Sequence, residues 1–198
     1  MVATERLFFA VRPDAATAQR IESLAQHLRR LHGLRGKSLG PERFHVTLHL
    51  IGDFAAGIPT DVQAGALEAA RPVAADASPF SLGFDKVASF TRKRRNMPLV
   101  LLAQDGAEDL ARMQRSLVSA LTRAGLAGRS EPLFTPHLTL LYDDLALIPQ
   151  SIELVSWRVD ELLLVRSLLG RGRHEVLGRV PLAGPSLPNR NTDVARQF

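Results

Sequence analysis

A seven-residue stretch occurs twice in this chain and constrains its fold more than any other feature. Phe44-His45-Val46-Thr47-Leu48-His49-Leu50 and Pro136-His137-Leu138-Thr139-Leu140-Leu141-Tyr142 both read His-x-Thr-Leu. Both have the composition of a β-strand. Side chains alternate across a strand, so each histidine shares a face with the threonine two residues on. Val46 and Leu48 turn the other way, as do Leu138 and Leu140. Each copy thus offers an apolar face to a core and a His/Thr face to something else. The chain has six histidines, and composition alone would produce two such motifs on the order of once in a thousand chains. Strands favour Thr and Leu, which raises that figure, but the repeat still outweighs it.

The rest of the chain gives these strands a setting. Arg6 to Val11 is an apolar, aromatic run ended by Arg12-Pro13-Asp14, a buried strand and a turn. Ile21, Leu24, Ala25, Leu28 and Leu31 recur at three and four, which predicts a helix from Ala15 to about Leu31. Asp14 suits its N-cap and Gly33 its stop. A second helix is expected from Thr60 to Ala70, ending before Pro72. A bulged strand follows over Phe80–Phe90, then a polar turn containing Arg92-Lys93-Arg94-Arg95 and a short strand over Leu99–Ala103. Leu110, Met113, Leu117 and Leu121 mark a third helix, stopped at Gly125. After the second motif, Trp157 to Leu169 reads as one long strand. It forms a hairpin with His174–Leu182 across Gly170-Arg171-Gly172-Arg173. The expected class is α+β, with helices packed on mostly antiparallel sheet. Each half holds one motif strand, and a pseudo-two-fold would set the two strands face to face across a cleft.

Length and composition narrow the possibilities. The 198 residues, 45% apolar, suit one domain built from two similar lobes. With no cysteine, disulfides, thiolate metal sites and cysteine nucleophiles are excluded. The opening Met1-Val2-Ala3-Thr4-Glu5-Arg6 has no signal-peptide pattern, and no apolar run approaches a membrane span, so a cytoplasmic protein is expected. A net charge of +5 tilts the partner toward a polyanion such as nucleic acid.

Two histidines on opposite walls of a cleft suit general acid–base catalysis, one removing a proton from a nucleophile and the other protonating a leaving group. A threonine hydroxyl beside each can donate to a non-bridging oxygen of an anionic substrate. The four residues His45, Thr47, His137 and Thr139 would make a metal-free site for a phosphodiester.

The paired motifs resemble those of the 2H phosphoesterase superfamily. The opening Arg-Leu-Phe-Phe-Ala, the Pro-His-Leu-Thr-Leu and the late Glu-Leu-Leu-Leu-Val-Arg-Ser are similar to its bacterial RNA 2′,3′-cyclic phosphodiesterase branch, also called the 2′-5′ RNA ligase family. The similarity runs from about Glu5 to Leu182. It implies a bilobal domain over 1–182 with a central cleft; the Pro, Asn and polar residues of 183–198 read as a loose tail. It implies hydrolysis of a terminal 2′,3′-cyclic phosphate to a 2′-phosphate, with reversible 2′-5′ RNA joining as a second activity. His45 would be the proton donor to the leaving 3′ oxygen and His137 the proton acceptor; Thr47 and Thr139 would hold the phosphate. The implied partners are RNA ends or nucleotides bearing a 2′,3′-cyclic phosphate, with no cofactor and a monomeric protein. Relatives often carry an arginine right after the second motif, where this chain has Tyr142. They often carry another a few residues ahead of the second histidine, where Pro132 stands and Arg129 is nearest.

Other residues have plainer readings beside functional ones. His49 alternates onto the face of His45 and Thr47, yet a packing or surface role suits it better than a place at the cleft rim. His45 and His49 are roughly 13 Å apart along an extended strand, with no carboxylate at ligand spacing, so no metal site is expected. His27, His32 and His174 read as surface residues. Phe8, Phe134, Arg95 and Tyr142 are candidate substrate contacts, set against core packing for the two phenylalanines and a solvated turn for Arg95. Two further functions stand beside the main one. The first is a 2H enzyme acting on a small cyclic nucleotide or an ADP-ribose-derived phosphodiester. The second is an RNA-binding module without chemistry.

Overall fold

The computed structural model describes residues 2–92, 94–128 and 133–184. Lys93, Arg129, Pro132 and the tail beyond Gly184 lie outside them. The first strand, β1 (Glu5–Val11), leads into helix α1 (Ala15–His32). The Asp14 carboxylate caps α1 by accepting from the Thr17 backbone N–H at 2.8 Å, and Gly33 ends it at φ 65°. A 3₁₀ turn (Pro41–Arg43) precedes β2 (Val46–Phe54), which carries the first motif. Then come α2 (Thr60–Asp76), β3 (Phe80–Ser89), β4 (Met97–Ala103), α3 (Ala107–Arg123) and β5 (His137–Asp143), the second motif strand. The last three strands are β6 (Gln150–Val159), β7 (Glu161–Leu168) and β8 (Arg173–Pro181).

Two elements differ from the sequence reading. Helix α2 runs through Pro72 to Asp76. Proline removes one helical hydrogen bond, and burial of Ala70, Val73 and Ala74 on either side of it offsets that loss. The long apolar run over 157–169 is not one strand. It breaks at Asp160, with β6 pairing to β3 and β7 pairing to β1. Hydropathy does not reveal this break, because the buried Trp157 and Val159 before it and the buried Leu162–Val165 after it read as one apolar run.

The eight strands of the described residues form two antiparallel four-stranded sheets, ordered β2-β1-β7-β8 and β5-β4-β3-β6. The final hairpin thus returns to the first lobe. Each motif strand is the edge of its sheet, and the two edges approach each other. Each edge is also covered by the loop that leads into the other motif. Ser38 bridges to Leu141, and the Leu39 N–H donates to the Leu140 carbonyl at 2.9 Å. On β2, His49 Nε2 donates to the Ala127 carbonyl at 2.6 Å. Both coverings depend on glycine: a Cβ at Gly36 would lie 2.0 Å from the Tyr142 carbonyl oxygen, and one at Gly128 2.0 Å from that of Leu50. Covering an edge satisfies its backbone groups and blocks pairing with other chains.

The main core joins both lobes, from Leu7, Phe9 and Val11 to Phe84, Leu101 and Leu117. A smaller cluster of Phe8, Ala10, Leu163 and Val165 lies on the opposite face of the first sheet. Among the described residues no helix is long and apolar enough to cross a membrane.

Candidate active site

Each motif strand slips register by one residue just after its threonine. Ala10 pairs with Thr47 and Phe9 with His49, which leaves Leu48 extra. Val100 pairs with Thr139 and Leu99 with Leu141, which leaves Leu140 extra. A bulge reverses the alternation beyond it. His49 therefore falls on the core side with Phe9, 4% exposed and bonded to Ala127, instead of sharing a face with Thr47. The plain packing reading of His49 fits this placement; its expected face does not.

The two motif histidines are held alike. His45, one residue ahead of β2, donates from Nδ1 to the Arg43 carbonyl at 2.6 Å. His137 donates from Nδ1 to the Thr135 carbonyl at 2.7 Å. A carbonyl only accepts, so each Nδ1 carries the hydrogen and each Nε2 is the nitrogen left for chemistry. His45 Nε2 accepts from the Thr47 hydroxyl at 3.1 Å. An aromatic ring meets each imidazole: Phe8 against His45 at 5.1 Å between centroids, and Phe90 against His137 at 4.9 Å.

Their surroundings differ. His45 is pushed down to about 4, chiefly by burial, with the charges of Arg12, His137 and Arg43 adding to the shift and its bond to the Arg43 carbonyl opposing it. That His137 contributes places the two imidazoles within electrostatic reach of each other. His174, read from sequence as a surface residue, instead packs edge-on against His45 at 5.0 Å and against Phe8 at 5.7 Å. It too is pushed down to about 4, by burial first and then by His45, Arg43 and Arg12. Its position in the turn-rich hairpin gave no sign of this, because only the sheet order brings β8 into the lobe of β2.

The other candidates scatter. Phe8 lies in the site. Phe134 is partly buried against the main core, and Phe90, which the sequence left inside a strand, takes the place beside His137. Arg95 sits in an exposed turn, paired with Asp144 at 3.2 Å. Tyr142, 41% exposed, follows Thr139 on β5 and pairs with Pro98. Of the remaining histidines, His27 is exposed, and His32 is half-buried with its Nε2 3.0 Å from Gln150. Among the described residues no three His, Asp or Glu side chains are placed to hold a metal ion.

The geometry has close counterparts. A protein from Thermus thermophilus, TT0787, superposes with a TM-score of 0.73 at 22% identity, covering 91% of this chain and all (100%) of its own. Escherichia coli LigT, solved with 3′-AMP, superposes with a TM-score of 0.72 at 25% identity, covering 90% of this chain and 98% of its own. The more distant Usb1 of Kluyveromyces marxianus shares the fold at a TM-score of 0.52 and 12% identity, covering 91% of this chain and 98% of its own. No curated protein sequence matches the chain. The family model of the 2′-5′ RNA ligase superfamily matches residues 13–171, a span that contains both His-x-Thr motifs, all of the second sheet, and β2 and β7 of the first. The chain belongs to the 2′-5′ RNA ligase superfamily, a group of 2H phosphoesterases.

Proposed function

We propose that this protein hydrolyses the 2′,3′-cyclic phosphodiester at an RNA end to a 2′-phosphomonoester. The observation that carries the reading is the pair of imidazoles at adjoining edge strands, each with Nδ1 tied to a carbonyl, which leaves Nε2 of His137 open and that of His45 bonded only to the motif's own Thr47 hydroxyl. His137 Nε2 takes the proton of the attacking water. The new P–O bond forms as the bond to the 3′ oxygen breaks, and His45 Nε2 gives that oxygen its proton. Thr47 and Thr139 donate to the non-bridging oxygens, where charge is concentrated. His45 must be an imidazolium to donate, because its Nδ1 hydrogen is already committed to Arg43. A phosphate anion arriving beside it opposes the charges of Arg12 and Arg43 and favours that form. A 5′-hydroxyl in place of water would run the same chemistry as 2′-5′ joining, a second activity of this site.

A second reading is a small-nucleotide substrate. It draws support from LigT, whose solved structures include complexes with 3′-AMP, ATP and NADP+. One experiment separates the readings: incubation in EDTA with an oligoribonucleotide ending in a 2′,3′-cyclic phosphate, beside adenosine 2′,3′-cyclic phosphate. The expected result is turnover of the oligonucleotide to a 2′-phosphate end. A 3′-phosphate end would reverse which ester oxygen leaves. Turnover of the mononucleotide alone would favour the second reading, and turnover of neither would favour a binding module.

A further inference from the structure

Several arginines of the first lobe are paired with carboxylates. Arg6 pairs with Asp53, Arg166 with Glu5 and Glu175, and Arg179 with Glu161. Arg12 and Arg43, whose charges both reach His45, form no ion pair with a carboxylate among the described residues. Arg12 donates instead to the Glu42 backbone carbonyl, within the 3₁₀ turn that also carries Arg43. The Glu42 carboxylate offsets the Arg12 charge at a distance, while burial and the charge of Arg179 oppose it. Arg43 is half-buried, and its Nε is buried without a hydrogen-bond partner. One of its terminal nitrogens lies 3.5 Å from where a Gly172 Cβ would stand, so the β7–β8 turn walls it in. Both guanidinium charges act on His45 and on His174. A hollow of about 290 Å³ opens beside Arg12, lined also by Arg158, Leu163 and Arg179. Three acids line it as well: Asp14 caps α1, Glu161 holds Arg179, and Asp160 is exposed at the rim.

Two half-buried cations with no carboxylate in contact, beside a histidine that is neutral in the free protein, are a charge arrangement completed by an anion. The four-residue motif site accounts for the reacting phosphate, with Thr47 and Thr139 as its donors. We propose that Arg12 and Arg43 form a second anion subsite, which takes the phosphate on the 5′ oxygen of the terminal nucleoside. The substrate class is then a nucleotide phosphorylated at both ends of its ribose, as the last nucleotide of an RNA chain is. This inference rests on the proposed function for the identity of the reacting group.

The test is direct binding by calorimetry at low salt. The ligands are adenosine 2′-phosphate, adenosine 2′,5′-bisphosphate, and an adenosine dinucleotide ending in a 2′-phosphate, the last with either a natural or an uncharged methylphosphonate linkage. The wild type should bind the bisphosphate and the natural dinucleotide about tenfold or more tightly than the uncharged and singly phosphorylated ligands. Arg12→Gln and Arg43→Gln should shrink that ratio toward one, and Arg43→Lys should keep most of it. Which of the two charged ligands binds tighter tells whether an RNA chain or a free 5′-phosphate is the source. No ratio in the wild type, or a ratio that survives both glutamine changes, overturns the subsite. Should a variant fail to fold, the wild-type ratio and its decline with added salt still decide. The subsite and the function fail separately. A protein inactive on every 2′,3′-cyclic phosphate but keeping the ratio loses only the assigned reaction. An active protein without the ratio loses only the subsite.

Discussion

The two half-sites carry the same motif and hold their histidines in the same way, yet they differ in everything the motif does not specify. His45 is packed behind Phe8 and His174, flanked by Arg12 and Arg43, and held neutral down to about 4. His137 begins its strand at the more open half, with the Phe90 edge as its aromatic neighbour, and the basic turn nearby spends Arg95 on Asp144. The repeat sets which nitrogen is tied to a backbone carbonyl and which is not. The unrepeated residues set how readily the untied nitrogen holds a proton. An acid–base pair needs this division, because two identical imidazoles would compete for the same role.

The bluntest way to break the comparison is to remove either ring. His45→Ala or His137→Ala should each lower kcat/KM on a cyclic-ended oligonucleotide by about 10²–10⁴-fold, the range for a lost acid or base. Near-normal turnover in either variant would show that the half-sites do not act as a pair.

A sharper probe asks which half donates. The pH profile of the wild type cannot tell, since an acid and a base with exchanged affinities give the same bell. The residual activity of His137→Ala can, because only His45 then titrates within the pair. Free His45 is protonated below about 4 and neutral above it. If it donates, residual kcat/KM falls about tenfold per pH unit as pH rises past that value. A residual rate that instead climbs to a plateau above it would make His45 the acceptor and exchange the two roles.

How legible this was in the sequence follows the range of each signal. The helix caps at Asp14 and Gly33 were legible because capping is local. The motif faces were legible as far as the threonine, since alternation is a two-residue rule. Beyond it the bulges at Leu48 and Leu140 reversed the faces, and no residue there announces a bulge: neither is glycine and neither interrupts the apolar run. The break at Asp160 was hidden for a related reason, since the polar pair Asp160-Glu161 reads as one turn of the alternation within a single strand. His174 was missed because it reaches the site only through sheet order, which a single chain read in sequence does not display. Phe90 lay inside an expected strand whose end the structure sets at Ser89.

The smallest expected effect isolates burial from charge in the first half-site. His174 covers one side of His45, and burial is the largest cause of the depressed His45 titration. His174→Ala should admit water and raise the His45 midpoint from about 4 toward its ordinary value, by about one pH unit. His174→Phe keeps a ring in place and should leave the midpoint where it is. Both are read from the His45 ring-proton shifts by NMR, with His45→Gln identifying the resonance. A rise in both variants would assign the effect to the charge of His174 instead of its bulk. No rise in either would leave Phe8, Arg12 and Arg43 as the features that set the two halves apart, with the hairpin serving only to close the sheet.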